Sequence, residues 1–181
     1  MRNWKLRTVL PLALIWACAA EPASAAAAVA IAPVTIGPTL QKALQERYGV
    51  DEAQELQKAV TASLSRSLKG VGAKSSETAP IRIEVSIVSA TPTHPTRRQL
   101  SDNPSLDYLR SVSKGGADLH AVLRDANGKV LDKVAYDYYA YTLREASMSA
   151  GAWGDAYIAI DRFADQVAKK WQRLSAAKPA S

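Results

Sequence analysis

The last helix predicted from the sequence has the clearest hydrophobic pattern in the chain. Over residues 153–174 its apolar residues recur at steps of three and four, which places them on one face of an α-helix. The members of this face are Trp153, Tyr157, Ile160, Phe163, Ala164, Val167, Trp171 and Leu174. The opposite face is polar. Along the helix, the acidic Asp155 and Asp161 come early and basic residues come in the last turns, the order that the helix dipole favours. Such a helix needs a flat apolar partner, so the pattern also predicts a sheet.

Strands are predicted from alternating apolar and polar residues. Residues 81–87 alternate isoleucine or valine with polar side chains, which is typical of a strand with one buried face. Residues 117–123 repeat the pattern, and Asp-Ala-Asn-Gly at 125–128 predicts a hairpin with a two- or four-residue loop. The second arm is expected to share the buried face of the first through Val130, Val134, Tyr136 and Tyr138. Tyr139 and Tyr141 are then expected on the opposite face.

The N-terminal part predicts one strand and two helices. Residues 29–36 contain spaced apolar residues interrupted by Pro33, which predicts an edge strand or a strand that starts late, at Val34. A short helix over residues 40–48 precedes a longer one that ends at Gly70, and Asp51 with Gln54 predicts a capping box at its start.

The order of these elements predicts an α+β fold. We expect a mainly antiparallel sheet of about four strands, with two or three helices packed on one face. A single domain over residues 26–177 accounts for all of them, and residues 178–181 are expected to form a flexible tail.

The N-terminus has the pattern of an export signal. Three basic residues, a short apolar segment and Ala-Ser-Ala at 23–25 predict a signal peptide over residues 1–25, removed after Ala25. The apolar segment is too short to span a bilayer, so no transmembrane span is predicted in the mature chain. We therefore predict a periplasmic protein.

The alternative processing site is Cys18, the only cysteine in the chain. Residues 15–18, Ile-Trp-Ala-Cys, resemble the lipobox of bacterial lipoproteins, although Trp16 departs from the small residue usual there. Lipidation of Cys18 would anchor the domain to the outer membrane. With either site, the folded part contains no disulfide and no thiol nucleophile.

Composition argues against several classes of function. The net charge is +6, and it falls to +4 without residues 1–25, which contain three basic residues and one acidic residue. The charges are interspersed and form no basic stripe with interleaved aromatic residues, so no nucleic-acid partner is predicted. The two histidines, His94 and His120, form no metal motif, and no nucleophile elbow or phosphate-binding loop is present. No catalytic residue, metal or cofactor is therefore predicted.

A long segment without regular pattern, residues 91–116, is the best candidate for a site. Loops of this length inside compact domains are uncommon and are often functional. Two neighbouring arginines in it could bind a phosphate or a carboxylate, and a solvated charge pair is the simpler interpretation. With the outward tyrosines of the hairpin, the candidate binding residues are His94, Arg97, Arg98, Tyr108, Tyr139 and Tyr141.

The C-terminal third resembles small exported or lipid-anchored α+β proteins of the bacterial cell envelope. The resemblance rests on Leu-Arg-Asp-Ala-Asn-Gly-Lys-Val-Leu at 123–131, on the aromatic strand that follows, and on the start of the last helix at 153–164. It implies an envelope location and this fold, with an accessory role in envelope assembly or transport as one option, and it brings no catalytic residues.

Three hypotheses of function follow from these patterns. The first is a non-enzymatic envelope protein that binds a protein partner or an envelope component through the long loop and the outward tyrosines. The second is a small periplasmic hydrolase that uses His94 with Asp102 or Asp107. The third is a structural lipoprotein anchored through Cys18.

Intact-mass spectrometry of the mature protein tests the processing site. We expect the mass of residues 26–181, and we expect Cys18→Ser to leave this mass and the location of the protein unchanged. A mature chain that begins at Cys18 and carries acyl groups would contradict cleavage after Ala25 and establish the lipid anchor.

Overall fold

The computed structural model of the protein describes residues 28–146 and 148–177. The predicted signal peptide, Cys18 and the predicted tail lie outside these residues. The strands are β1 Ala28–Ile31, β2 Thr35–Ile36, β3 Lys74–Ser75, β4 Ile81–Thr91, β5 Gly116–Asp125 and β6 Val130–Tyr139. The helices are α1 Pro38–Ala43, continued by a π-helical turn at Leu44–Tyr48, then α2 Glu52–Gly70, α3 Arg97–Asp102, α4 Leu143–Ala146 and α5 Gly154–Ala177.

The sheet has six strands and is mixed, in the order β3-β1-β4-β5-β6 with β2 also paired to β4. β4, β5 and β6 are antiparallel, whereas β1 and β2 run parallel to β4 and β3 runs parallel to β1. The α+β class is therefore confirmed, but the expectation of about four mainly antiparallel strands is inexact. The extra strands were missed because β2 and β3 have two residues each, too few to show alternation.

The N-terminal strand is divided where the sequence contains Pro33. β1 and β2 pair with successive parts of β4, at Arg82–Ile83 and at Ser86–Ile87. The chain then returns through α1 and α2 before entering β4, and this helical connection is what makes the pairing parallel.

The hairpin confirms the predicted turn and corrects its register. Its loop has three residues, because Asp125 N–H donates to the Lys129 carbonyl at 3.0 Å and Gly128 adopts φ 82°. A bulge follows, so that Leu123 faces Asp132 while Arg124 faces Val130. Val134, Tyr136 and Tyr138 keep the predicted face, whereas Val130 is exposed because the bulge moves it to the other face.

The start of α2 does not use the predicted capping box. Asp51 has helical dihedral angles and makes no side-chain capping bond, because backbone bonds to Gly49 and Val50 already bind the first N–H groups. The capping box in the structure belongs to α3, where Thr96 and Gln99 bind each other's backbone N–H groups.

The hydrophobic core lies between the sheet and the two long helices. The predicted stripe of α5 faces this core. Trp153, Phe163 and Trp171 are among the largest fully buried side chains of the protein. α2 packs beside it, burying Leu56, Val60, Leu64 and Leu68. The Trp171 Nε1–H has no hydrogen-bond partner among the described residues, so this ring contributes only apolar contact there. The helix on which the sequence prediction was built is thus confirmed.

Replacing Trp171 by aspartate should unfold the domain. The substitution leaves a cavity and an unpaired charge in the core, which together cost at least about 4 kcal/mol. Gln172→Asp makes the same charge change on the exposed face of the same helix, and we expect it to melt close to wild type. Thermal unfolding followed by circular dichroism compares the two; a cooperative Trp171→Asp melt near the wild-type temperature would contradict the packing of α5.

Candidate functional site

The long loop between β4 and β5 is fixed by a buried hydrogen-bond cluster at the start of α5. Thr93 Oγ1 donates to Asp155 Oδ2 at 3.0 Å and accepts from the Asp155 N–H, also at 3.0 Å. Both residues are fully buried. Ser149 Oγ donates to the other carboxylate oxygen of Asp155. The Asp155 side chain therefore joins the loop, the segment before α5 and α5 itself, and because its acceptors are satisfied its burial is tolerated.

Gly115, at the other end of the loop, allows this cluster to form. A Cβ at this position would lie 2.2 Å from Thr93 Oγ1 and 3.0 Å from Asp155 Oδ2, so no larger residue fits without a shift. The Gly115 carbonyl also accepts from Ala140 N–H at 2.9 Å, which extends the β5–β6 ladder past the end of β6. The ends of the loop are thus held together over the terminus of the sheet.

His94 has a structural role in this arrangement. Its Nδ1 lies 3.0 Å from the Tyr108 carbonyl and its Nε2 lies 3.3 Å from the Ser149 carbonyl. The imidazole stacks on the Tyr108 ring with centroids 5.3 Å apart, and it is 7% exposed. His94 therefore lies between the Tyr108 turn and the segment before α5, with a carbonyl oxygen facing each ring nitrogen.

The acid–base pair of the hydrolase hypothesis is not assembled. Asp102 pairs with Arg98 at 3.2 Å, and the Asp107 carboxylate accepts the backbone N–H groups of Leu109 and Arg110. Each aspartate thus has its own local partner, and His94 contacts neither in the structure. In this geometry both His94 ring nitrogens face backbone carbonyl oxygens, and neither faces a carboxylate that could orient it as a general base.

Exposed apolar side chains surround this anchored loop. We define the apolar rim by the five residues Tyr108, Leu109, Tyr141, Leu143 and Met148, which are 40%, 77%, 85%, 55% and 84% exposed. His94 brings the Tyr108 turn to Ser149, which follows Met148 directly. α4 links Tyr141 and Leu143 to the same segment, since Ser149 N–H donates to the Ala146 carbonyl. The rim therefore gathers at one end of the sheet.

The two outward tyrosines are placed differently. Tyr139 lies on the outer face of the sheet against Gly116, and its hydroxyl is 2.7 Å from Ser89 Oγ. Burial raises the pKa of Tyr139 above its ordinary value. Tyr141 follows the end of β6, and its backbone N–H donates to Glu145. Only Tyr141 of the two therefore belongs to the apolar rim.

Arg97 and Arg98 lie apart from the rim, in a cleft of about 360 Å³ between α3 and the start of α2. The same cleft is lined by the acids Asp51, Glu52 and Glu55 and by Lys58, so it mixes cations with carboxylates. A phosphate or carboxylate bound by the arginines would also meet these acids.

Neither a metal cluster nor a membrane span appears in the described part of the chain. Over residues 28–146 and 148–177, His, Asp and Glu side chains form no group of three able to hold a metal ion. No helix within the same residues has the length and hydrophobicity needed to cross a bilayer.

Fold and site together define an α+β domain with a one-sided helical layer, a rigid long loop and an exposed apolar rim. The chain belongs to the family described as "Protein of unknown function (DUF3313)", whose model matches residues 11–167. No curated protein matches the chain significantly.

Several solved structures share the general arrangement. The hypothetical protein CT253 from Chlamydia trachomatis is 12% identical, with a TM-score of 0.46 and coverage of 85% of this chain and 100% of that one. A PelC dodecamer from Paraburkholderia phytofirmans is 9% identical, with a TM-score of 0.45 and coverage of 77% and 84%. Lipoprotein GNA1162 from Neisseria meningitidis is 11% identical, with a TM-score of 0.39 and coverage of 83% and 99%. At such values, function has to be argued from the residues of this chain.

Sequence patterns did not reveal the Thr93–Asp155 contact, the core of the site. The two residues are 62 positions apart, and a threonine in a loop and an acid at a helix start are each ordinary by themselves. The sequence predicts His94 as a binding residue, but one histidine beside a proline does not indicate its position at the centre of the loop anchor.

Replacing Gly115 by alanine should destabilise the loop anchor. The added methyl group collides with the Thr93 hydroxyl and the Asp155 carboxylate, and we expect a loss of about 2 kcal/mol or more. Gly70→Ala is the matched control, because a Cβ there meets nothing within 4 Å and should change stability by at most about 1 kcal/mol. Urea unfolding measures both; equal midpoints would show that the loop does not depend on this close approach.

Proposed function

We propose that this protein is a non-enzymatic component of the bacterial cell envelope that binds a partner protein through the apolar rim. The predicted signal peptide and the sequence resemblance of the C-terminal third support the location. The observation that carries the binding role is the rim itself, a group of large exposed apolar side chains beside a rigid loop. Large exposed apolar side chains grouped at one end of a fold are typical of interaction sites.

Rigidity of the rim favours binding over chance exposure. Thr93, His94 and Asp155 fix the loop through buried hydrogen bonds, so the backbone that carries Tyr108 and Leu109 is held in place before a partner binds. A preorganised surface loses less conformational entropy on association, and more of its contact energy remains as affinity. The buried polar groups of the loop thus preorganise it for binding, in addition to their role in packing.

A basic residue at the border of the rim indicates the charge of the partner. Arg110 follows Leu109, and both side chains are exposed. The nearby acids are engaged within the chain: Asp107 caps the turn, and Glu145 accepts from the Tyr138 hydroxyl, which holds the pKa of Glu145 below its usual value. A complementary partner therefore presents an apolar patch bordered by acidic groups.

The absence of catalysis is part of the same proposal. It is supported by the position of His94, whose ring nitrogens face the Tyr108 and Ser149 carbonyls. The lipid anchor at Cys18 remains a compatible alternative for the attachment of the protein, and the mass measurement decides it.

Affinity capture from envelope extract tests the proposal. We expect Leu109→Ser/Tyr141→Ser/Met148→Ser to lose at least about tenfold of the partner recovered with wild type, since exposed apolar anchors dominate such contacts. Val50→Ser is the control, because Val50 is 59% exposed at the corner before α2 and outside the rim. All variants should melt near the wild-type temperature because the changed side chains are exposed.

Two outcomes would contradict the proposed partner. Recovery of the same proteins in the same amounts by the rim variant would exclude the rim as the binding surface. Flotation of the purified wild type with anionic phospholipid vesicles, lost in the rim variant, would identify a membrane surface in place of a partner protein.

A further inference from the structure

β6 is the last strand of the sheet and has an unpaired edge. Within the described residues it pairs only with β5, and the register from Gly116–Tyr139 to Leu123–Asp132 is uninterrupted. The bulge lies beyond this stretch, next to Arg124. Residues 132–139 therefore form a regular edge whose outward backbone groups pair with no other strand, the feature through which another strand can join a sheet.

The hydrogen-bond alternation of the ladder shows which groups are free. Ala140 N–H donates to the Gly115 carbonyl, so this pair is hydrogen-bonded. Alternation along an antiparallel ladder then directs the N–H and C=O groups of even-numbered β6 residues to β5 and those of odd-numbered residues away from it. The outward backbone groups belong to Lys133, Ala135 and Asp137. Of these, the Lys133 N–H donates to Asp132 Oδ1 at 2.8 Å within the chain, a bond that an added strand would replace.

The side chains of the same three residues point to the outer face of the sheet, and their charges are unbalanced. Asp137 lies directly opposite Asp118 of β5, and His120 Nε2 approaches only Asp118, at 3.4 Å. In the described part of the chain, no ion pair involves Lys133 or Asp137. Like charges facing each other across strands are unfavourable, so a cation beside Asp137 would stabilise this edge.

We propose that β6 pairs antiparallel with β6 of a second copy of this chain, about a two-fold axis at Ala135. In this register Ala135 faces Ala135, and Lys133 of each copy faces Asp137 of the other. Two equivalent ion pairs form, and each brings a cation to the carboxylate that faces Asp118. The small side chain at the axis lets the two strands approach.

Backbone geometry favours the same register. With the axis at Ala135, residues of equal parity face each other, so the outward N–H and C=O groups of Lys133, Ala135 and Asp137 meet as hydrogen-bonded pairs. A shift of the axis to Lys133 places two lysines together, and a shift to Asp137 places two aspartates together. An axis at Val134 or Tyr136 also keeps equal parity, but it places Lys133 and Asp137 opposite other residues and forms no ion pair. An axis between two residues leaves the outward backbone groups without matching partners.

The inner face is complementary as well. The register places Asp132 opposite Tyr138 of the second copy. Within one chain the Arg162 guanidinium lies 4.6 Å from the centre of the Tyr138 ring, and Lys170 binds Asp132 at 2.8 Å. Arg162 of the second copy therefore comes to the side of Asp132, adding a cation to a carboxylate whose pKa is already lowered by the hydrogen bond from Lys170. This interface is separate from the apolar rim and does not rest on the proposed function.

Charge exchange across the axis tests the pairing, using protein purified after expression of the full chain. Lys133→Asp and Asp137→Lys each place like charges opposite each other twice, and each should raise the dissociation constant of the dimer at least about tenfold. An equimolar mixture of the two variants restores both pairs and should form a heterodimer. The double variant Lys133→Asp/Asp137→Lys should form a homodimer. Sedimentation equilibrium measures the mass of each sample.

Lys58→Asp on α2 is the control, since it makes the same exposed charge change away from β6 and should dimerise like wild type. Three results would overturn the proposal. They are a wild-type chain that stays monomeric up to millimolar concentration, single variants that dimerise like wild type, and a mixture and double variant that stay monomeric when the single variants do.

Discussion

The packing of α5 against the antiparallel part of the sheet is the contact on which the other features depend. Phe163 and Trp171 are buried in that contact, and Trp153 directly precedes the helix, packing edge-on against Tyr48. The same element carries Asp155 in its first turn, buried against the long loop. Core packing and loop geometry are thus coupled through one helix. If the start of this helix moved, the buried carboxylate would lose its hydrogen-bond partners in a place that water does not reach.

A layer of helices on one side leaves the rest of the sheet open. The outer face and the β6 edge carry polar and charged side chains, as antiparallel sheets with one solvated face do. The apolar rim is different, since it exposes Leu109, Tyr141 and Met148 at one end of the sheet. These two surfaces are distinct in chemistry: the edge offers backbone groups and paired charges, and the rim offers apolar contact. A protein with both can associate with itself and still present the rim to a partner.

The long loop is ordered by polar groups in its interior. Thr93, His94 and Thr96 are all buried, and each has hydrogen-bond partners in distant parts of the chain. Buried polar contacts of this kind specify one arrangement strictly, because an alternative loop path would leave several groups unsatisfied. Contacts with α5 and with the Tyr48 carbonyl, which accepts from Thr96 at 2.7 Å, offset the conformational entropy that the loop loses when it becomes ordered.

The sequence by itself determined the elements in which buried residues recur at a regular spacing. These are α5, α2, β4 and the β5–β6 hairpin. Periodicity reports which face of an element is buried, but it does not identify the partner across the core. Only the tertiary structure decided the parallel pairing of the short N-terminal strands, the bulge that turns Val130 outward, and the separation of Tyr139 from Tyr141. It also decided the Thr93–Asp155 contact, because a hydrogen bond between remote residues leaves no repeating signal in the chain.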